Sequence, residues 1–411
     1  MATYLDLERT LTPEQVTLRR ELQRFAEEVL RPASLELDRL ADPEDVIKKG
    51  SVFWDVFRTY YEQGYHVRGL PEALGGTPLS MEEQFLVNEM FGWGSSDFAI
   101  GFGVTSFPFS FAAGTGNPQL MEEVVRPYAE DREARYIGCW AITEPDHGSD
   151  TLVVGTEHFR DRAVTHSVRA RADGDEWVIS GQKAAGVSNG TIATHALVFL
   201  GIDGDRGMAG GGVALVPLEL PGVSKGKALD KLGQRALNQG EIFFDDVRIP
   251  RAYMIIGPDA YEGVLHAVLA GANAFMGVTF AGLARAAFEE ALAYTKQRVQ
   301  GGRPICEHQL VQKTLFDMFA KVRAAEALSR SALVYNSAGA AAVHCSISSK
   351  VFCTTTAFEV ASDAVQLHGG YGLSKGMLVE KLLRDARASM IEDGSNDVLS
   401  LVAARRLIDG A

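Results

Sequence analysis

The chain has 411 residues, of which 46% are hydrophobic and 23% charged, a composition typical of water-soluble globular proteins. Its formal net charge of −13 argues against nucleic acid and anionic membranes as main partners. The N-terminus lacks the basic and apolar regions of a signal peptide, and no run reaches the ~18 apolar residues that span a bilayer. The four cysteines form no C-x-x-C pair, so we expect no metal site, no disulfide framework and a cytoplasmic location.

Residues 1–134 are predicted to form an N-terminal all-α domain. Thr12-Pro13-Glu14-Gln15 has the pattern of a capping box, and apolar residues follow it at helical spacing until Arg31-Pro32 interrupts the pattern. A second helix is predicted over 50–64. Ser80-Met81-Glu82-Glu83 is another capping box that opens a further helix.

Residues 135–250 are predicted to form a β-sandwich or barrel domain. The segments are short, rich in Val, Ile and Phe, and separated by Gly and Asp turns, which indicates antiparallel strands. Strands are predicted at 136–142, 176–180, 196–202, 212–217 and 240–249. The run 204–212 is predicted to be a flexible loop. No G-x-G-x-x-G follows a strand, which argues against a dinucleotide-binding sheet.

Residues 251–411 are predicted to form a C-terminal helical bundle of four helices. Helical periodicity returns near Tyr261 and covers 262–299, 308–337, 341–368 and a last helix after Ser395. The order helical, β, helical, without alternating β-α units, predicts the α+β fold class.

One stretch joins a strand to a polar turn. Trp140 to Asp150 reads W-A-I-T-E-P-D-H-G-S-D, in which a short apolar strand ends at Thr143-Glu144-Pro145. On spacing alone this pattern is typical of a surface strand-turn whose Glu144 and Asp150 are solvated. It also resembles the signature of the acyl-CoA dehydrogenase family of flavoenzymes.

Other segments resemble the same family in the same order. The first four are the Gly181–Gly190 segment, Lys231–Arg235, Ile242–Pro250 and Gln297–Gln309. They are followed by Q-L-H-G-G-Y-G at 366–372 and R-D-A at 384–386, which leads to Asp393-Gly394. Each segment alone is weak, but together they span most of the chain.

The resemblance implies FAD as cofactor, an acyl-CoA substrate, an electron-transfer flavoprotein or similar acceptor, and a homotetramer built as a dimer of dimers. The cofactor contacts that it implies are Trp140, Ile142, Thr143, Ser188, Arg298, Gln309, Gln366, Gly369 and Gly370. Ser149 and Gly394 are the implied substrate contacts. Without the resemblance, Arg298 could be a surface residue at a helix end, and Gly369-Gly370 a helix C-cap.

The implied reaction removes the α-proton of an acyl-CoA thioester and transfers the β-hydride to flavin N5, in the degradation of a fatty acid or other carboxylic acid. In register with the family, Asp393 occupies the position of the base, where most members have Glu, and Glu392 precedes it. Asp393 could instead cap the last helix. Dehydrogenases of cyclic acyl-CoAs resemble the chain at least as well as nitroalkane oxidases do. Some of these dehydrogenases use an additional Asp, for which Asp97 is a candidate. Asp97 could instead be a cap or loop residue.

Several departures keep two alternatives open. Ala184-Ala185-Gly186 replaces a segment in which many members carry a Trp, and Gly271–Ala274 has no ionisable residue, so the base has not moved there. A flavin oxidase of the nitroalkane-oxidase type also uses Asp, but carries an Arg where this chain has Ser400. A non-catalytic acyl-CoA-binding relative is the second alternative.

Overall fold

The fold is that of a computed structural model, which describes residues 11–184, 186–339 and 342–409. Helices come first, an eight-stranded sheet follows, and long helices complete the chain. This order confirms the predicted α+β architecture. Ala185, which belongs to a segment singled out in the sequence, lies outside the described residues.

The N-terminal region is helical, as predicted. Both capping boxes form: the Thr12 hydroxyl accepts from the Gln15 N–H at 3.3 Å, and the Ser80 hydroxyl accepts from the Glu83 N–H at 3.3 Å. The helices are α1 (Pro13–Phe25), α2 (Arg31–Asp38), α3 (Pro43–Ile47), α4 (Val52–Glu62), α5 (Met81–Gly94), α6 (Ser96–Thr105), α7 (Phe107–Gly114), α8 (Pro118–Leu120) and α9 (Arg126–Glu130).

The prediction that Arg31-Pro32 interrupts the first helix is wrong. A π-helical turn, Ala26–Leu30, connects α1 directly to α2, and the Arg31 N–H bonds to the Ala26 carbonyl, five residues back. A π-helical turn pairs an N–H with the carbonyl five residues back instead of four. The N–H that Pro32 lacks therefore falls at a position where its loss costs little free energy. The same arrangement recurs at Met121–Val125, just before Arg126 and Pro127.

The middle region is one sheet, whose strands are β1 (Gly138–Ala141), β2 (Arg169–Asp173), β3 (Glu176–Lys183), β4 (His195–Gly201), β5 (Gly211–Pro217), β6 (Val223–Lys225), β7 (Ile242–Pro250) and β8 (Met254–Ile256). Their order in the sheet is β6-β7-β3-β2-β4-β5-β8, with β1 paired to β4. Most neighbours are antiparallel as predicted, but β1 and β2 run parallel to β4, with Trp140 opposite Leu197 and Arg169 opposite Gly201. The expected loop 204–212 contains 3₁₀ turns over Gly204–Gly210.

The C-terminal region contains three long helices and two shorter ones. They are α10 (Pro258–Gln297), α11 (Gln309–Ser337), α12 (Val343–His368), α13 (Leu378–Ser389) and α14 (Asn396–Asp409), with a small hairpin of β9 (Val299–Gln300) and β10 (Arg303–Pro304). Helix α13 was not predicted. Helix α10 is long and apolar enough to cross a membrane, but 83% of its most apolar window is buried inside the protein, as in a core helix.

Candidate active site

Two cavities meet inside the protein. The strand cavity, about 440 Å³, lies at the end of β1 and is lined by residues of all three regions, among them Trp140, Ser188 and Glu392. The helical cavity, about 500 Å³, lies among α4 to α7 and α10. Both volumes fall in the range of small-molecule sites. Asp393 and Val104 line both cavities and therefore form part of the wall between them.

The predicted β-domain cofactor residues come together in the strand cavity. Trp140, Ile142, Thr143 and Ser188 all line it, although 45 residues separate Thr143 from Ser188 in the numbering. The indole N–H of Trp140 is buried and has no hydrogen-bond partner among the described residues. An unsatisfied buried donor of this kind is costly unless a ligand accepts from it.

A buried ion pair holds the end of β1 in place. The ammonium of Lys183 donates to the Ile142 carbonyl at 2.9 Å and to Glu144 at 2.8 Å, and both side chains are fully buried. Burial raises the pKa of Glu144, but the imidazole of His166 at 3.8 Å and the charge of Lys183 outweigh it and lower the pKa to about 2. Glu144 is therefore a buried structural anion, and the solvated-turn interpretation is wrong for it.

Asp393 sits in a turn with an unusual backbone. Its φ is +52°, and that of Gly394 is +97°, so two consecutive residues adopt left-handed conformations. Such strain is uncommon outside glycine and is often found at functional sites. In the described part of the chain, the Asp393 carboxylate has neither a hydrogen-bond nor an ion-pair partner. Burial raises the pKa of Asp393 to about 6, against the opposing charge of Lys350.

Lys350 of α12 anchors this turn, and the sequence offered no signal for it. The side chain is fully buried, and its ammonium donates to the Gly394 carbonyl at 2.7 Å and to the Asn396 amide oxygen at 2.8 Å. Burial lowers the pKa of Lys350 to about 8, and the neighbouring Asp393 opposes that shift. The lysine thus supplies a positive charge beside Asp393 and fixes the backbone of the next residue.

Glu392 has different surroundings. It lines the strand cavity but not the helical cavity, and its carboxylate accepts from the Gln234 amide at 2.8 Å. Burial raises the pKa of Glu392 to about 7, and the charge of Lys231 opposes that shift. Lys231 and Gln234 line the same cavity. The sequence segment that contains them was noticed for its resemblance, but their place in the site was not foreseen.

Asp97 lies in a buried polar network away from both cavities. It accepts from Ser34 at 3.1 Å, from the Ala236 N–H at 3.2 Å and from Lys381 at 3.1 Å. Lys381 also pairs with Asp385. These contacts tie the N-terminal helices to α13. Asp97 lines neither cavity, so its catalytic role stays a prediction that the geometry does not favour.

The two predicted substrate contacts lie together at the strand cavity. Ser149 and Gly394 both line it, and the Ser149 hydroxyl accepts from the Ser395 N–H at 2.9 Å. Among the residues that the structure describes, the Gly394 N–H has no hydrogen-bond acceptor. It therefore remains available to a ligand oxygen.

The other predicted cofactor residues lie elsewhere, on the surface of the C-terminal region. They are exposed, they line neither cavity, and they are Arg298, Gln309, Gln366, Gly369 and Gly370. Gln309 begins α11, and the ends of α10 and α12 that carry the other four are adjacent, because the rings of Tyr294 and His368 stack at 4.0 Å. An added Cβ at Gly369 or Gly370 would meet nothing within 4 Å, so this surface is open.

Models of acyl-CoA dehydrogenase domains match nearly the whole chain. The N-terminal domain model matches residues 12–133, the middle domain model 139–247 and the C-terminal domain model 264–408. The chain belongs to the acyl-CoA dehydrogenase family. Its activity is FAD-dependent dehydrogenation of an acyl-CoA thioester, which confirms the predicted enzyme class and cofactor.

Relatives within the family cover the chain almost completely. Cyclohexane-1-carbonyl-CoA dehydrogenase of Geobacter metallireducens is 29% identical over 97% of this chain and 99% of the relative. A 3-(aryl)acrylate reductase of Clostridium sporogenes is 28% identical over 96% and 99%. The structure of butyryl-CoA dehydrogenase from Megasphaera elsdenii superposes with a TM-score of 0.84 at 25% identity, over 97% of this chain and 99% of that one.

The residues present fit FAD. The strand cavity offers the unpartnered indole N–H of Trp140 and the hydroxyls of Thr143 and Ser188 to a flat polar ring. Asp393 lies in the wall between this cavity and the helical one. An acyl group in the helical cavity and a flavin in the strand cavity would both lie beside that carboxylate.

Proposed function

We propose that Asp393 is the base that removes the α-proton of a cyclic acyl-CoA. The observation that carries this proposal is the position of Asp393 in the wall common to both cavities, where Glu392 does not reach. Its carboxylate is unpartnered in the described part of the chain, whereas that of Glu392 is engaged by Gln234. A general base needs both access to the proton and a lone pair that is not already committed.

The mechanism follows from the chemistry of these groups. Asp393, ionised above its pKa of about 6, accepts the α-proton. The Gly394 N–H donates to the thioester oxygen and stabilises the enolate-like charge as it develops. Lys350 fixes the Gly394 carbonyl and so keeps the neighbouring backbone in position. Bound FAD would supply the hydride acceptor that oxidation of the β-carbon requires.

Trp140, Ile142, Thr143 and Ser188 hold the flavin ring in this proposal, and Ser149 lies beside the thioester. Glu392 and Asp97 are not part of the catalytic set. The cyclic acyl group is supported by the helical cavity, which is broad and aromatic, with Phe91, Phe102, Phe107 and Phe275 in its lining. The cyclohexane-carbonyl-CoA relative also supports it.

Assembly as a homotetramer belongs to the proposal. Five exposed residues at the ends of α10 and α12 and at the start of α11 would meet the ADP half of an FAD bound to a second subunit; they are Arg298, Gln309, Gln366, Gly369 and Gly370. Within residues 11–184, 186–339 and 342–409, the large apolar side chains that are exposed all belong to the C-terminal region apart from Leu232, and Leu310, Phe316 and Leu373 are among them. Such a surface is typical of a subunit interface.

Three further assignments are part of this proposal. The domains divide at 134/135 and 250/251, although β8 extends the sheet to Ile256. The location is cytoplasmic, which the four free cysteines support. Electrons pass to an electron-transfer flavoprotein or a similar acceptor.

Anaerobic titration tests the substrate class. Purified yellow protein is mixed with straight-chain, branched and cyclic acyl-CoAs while the flavin absorption band is recorded. We expect cyclohexane-carbonyl-CoA to bleach the flavin at lower concentration than butyryl-CoA or isobutyryl-CoA, with reoxidation by an electron-transfer flavoprotein faster than by oxygen. Bleaching by straight-chain thioesters alone would reject the cyclic acyl group. Rapid reoxidation by oxygen would instead favour the oxidase alternative.

A further inference from the structure

Several polar side chains interrupt the apolar lining of the helical cavity. His66 and Arg68 both line it, next to the aromatic rings of Tyr60, Tyr65 and Phe102. The Nδ1 atom of His66 and the Nη1 atom of Arg68 are buried and have no hydrogen-bond partner among the described residues. A buried polar atom without a hydrogen-bond partner costs free energy. Two such atoms in one cavity indicate that a ligand forms the missing hydrogen bonds.

The ring of His66 is neutral and can bond to a ligand through Nδ1. Its Nε2 atom lies 3.4 Å from Nη1 of Arg132, but Nη1 donates its two hydrogens to the carbonyls of Ala129 and Asp131, at 2.9 Å and 2.8 Å. Burial lowers the pKa of His66 to about 4, so the ring is uncharged at pH 7 and Nδ1 can take part in one hydrogen bond, as donor or as acceptor. The orphaned atom of Arg68 is a donor, and a ligand oxygen that accepts from it can also bond to His66 Nδ1.

Arg68 also lacks a counter-ion. No carboxylate lies within 4.0 Å of its guanidinium in 11–184, 186–339 or 342–409, and its Cζ atom lies 3.9 Å from the centre of the Tyr65 ring. Glu21, the carboxylate among the groups that act on its pKa, makes the smallest contribution. A partly buried cation without an anion is unfavourable, and an oxygen acceptor on a ligand would offset that cost.

His66 and Arg68 lie away from the wall that carries Asp393. Stacked rings lead from Arg68 through Tyr65 and Tyr60 to Phe102, with centroid separations of 5.8 Å and 3.9 Å. Phe102 lies two residues before Val104, which belongs to the wall shared with the strand cavity. His66 and Arg68 line the helical cavity only.

We propose that the acyl group carries a polar oxygen group remote from the thioester, bound by Arg68 Nη1–H and His66 Nδ1. The inference rests on the proposed function, since it assumes that the acyl group occupies the helical cavity. It makes the substrate an oxygenated acyl-CoA, with a hydroxyl, keto or carboxylate group at its far end, instead of a plain hydrocarbon.

The test compares acyl-CoAs that share one carbon skeleton. Cyclohexane-carbonyl-CoA, its 4-hydroxy, its 4-oxo and its 4-carboxy derivatives are titrated into the FAD-loaded full chain, and binding is measured by calorimetry while bleaching is recorded separately. We expect at least one oxygenated derivative to bind roughly tenfold tighter or more than the hydrocarbon, the size of effect expected for a hydrogen bond to a charged donor. The derivative that gains most identifies the oxygen group.

Variants assign the gain to these residues. Arg68→Met should abolish the preference without weakening binding of the hydrocarbon, Arg68→Lys should restore part of it, and His66→Phe, which keeps the ring stacked on Tyr61, should reduce it. Arg58→Met is the matched control, because Arg58 pairs with Asp55 on α4 and lines neither cavity. His66→Phe also serves if Arg68→Met does not fold.

The two proposals fail separately. Equal binding of all four thioesters, with bleaching, would overturn the inference and leave the proposed function intact, since solvent would then satisfy both polar atoms. Tighter binding of an oxygenated derivative that Arg68→Met abolishes, without bleaching, would support the inference and contradict the proposed reaction. Equal weakening of all ligands by Arg68→Met would assign Arg68 a purely structural role and overturn the inference.

Discussion

The strand cavity and the helical cavity share Asp393 and Val104 but are built in different ways. The strand cavity collects polar groups from contiguous segments, such as Trp140–Thr143 and Glu392–Gly394, and a buried ion pair fixes the end of β1. The helical cavity is a space between five packed helices, lined mostly by apolar and aromatic side chains. In the proposed function, the first holds the reacting groups, whereas the second selects the acyl group.

We expect the largest effect from a substitution in the wall that the two cavities share. Asp393→Asn keeps the shape of the side chain but removes the base, so stopped-flow bleaching by the best acyl-CoA should slow by about 100-fold to 10,000-fold. Glu392→Gln is the matched control and should retain most of the rate, because Glu392 does not face the helical cavity. The opposite ranking of the two variants would transfer the role of base to Glu392.

The next prediction changes the helical cavity alone. Gly271 of α10 lines it, and an added Cβ would meet nothing within 4 Å. Gly271→Leu should therefore fill the space and raise the half-saturating concentration of a cyclic acyl-CoA by roughly tenfold or more. FAD content should not change. The unfolding temperature should not fall, because glycine is disfavoured in a helix interior by about 1 kcal/mol.

Gly263→Leu is the control for that substitution. Gly263 lies in the same helix, also has open space around it, and lines neither cavity. Equal loss of acyl-CoA affinity in both variants would show that the helical cavity is not the acyl site.

A third prediction concerns pH. Asp393 must be ionised to act, so the bleaching rate should rise with pH through its pKa of about 6. Lys350 lowers that pKa by its positive charge, while Glu392 is the other charged group that faces the lysine. Lys350→Met should therefore move this rising limb of the pH profile to higher pH and reduce the bleaching rate at neutral pH. A pH profile recorded for both proteins checks this shift.

Lys350→Gln separates charge from positioning. Its amide can still donate to the Gly394 carbonyl, so a purely positional role would leave the rate near that of the unaltered protein. The electrostatic account predicts that the pH limb moves in both variants. A limb that stays in place in both would contradict it.

The smallest expected effect lies on the flavin side. Trp140→Phe removes the orphaned indole N–H but keeps a ring beside Phe107 and Phe199, which lie 5.5 Å and 6.2 Å from the indole. We expect FAD to bind about 1 kcal/mol more weakly, as for one lost hydrogen bond. Equilibrium dialysis measures the change, and Trp177→Phe on β3, outside both cavities, is the control. Unchanged FAD affinity would mean that the indole N–H meets no cofactor atom.

The two cavities also differ in how far the sequence predicted them. Trp140, Thr143 and Ser188 were found because short contiguous motifs carry them, and both capping boxes were found because they are local patterns. Lys350 was missed, since its role depends on α12 packing beside a turn 44 residues further along the chain. The lining of the helical cavity was missed for the same reason.

The surroundings of Pro32 and Ser400 depend on contacts of the same kind. Pro32 was expected to end a helix, but a π-helical turn absorbed its missing N–H. Ser400 was compared with an Arg of nitroalkane oxidases; its hydroxyl donates to the Asn396 carbonyl within α14, and the cation beside Asp393 comes instead from Lys350. Neither arrangement is visible from spacing along the chain.

The most direct test of the central claim isolates proton removal from hydride transfer. 3,3-Dimethylbutyryl-CoA has α-hydrogens but no β-hydrogen, so the holoenzyme in D₂O can exchange its α-protons and go no further. Mass spectrometry of the recovered thioester follows the exchange. If Asp393 is the base, the unaltered protein and Glu392→Gln should exchange the α-protons, and Asp393→Asn should show no exchange above background. Exchange that persists in Asp393→Asn and disappears in Glu392→Gln would contradict this assignment.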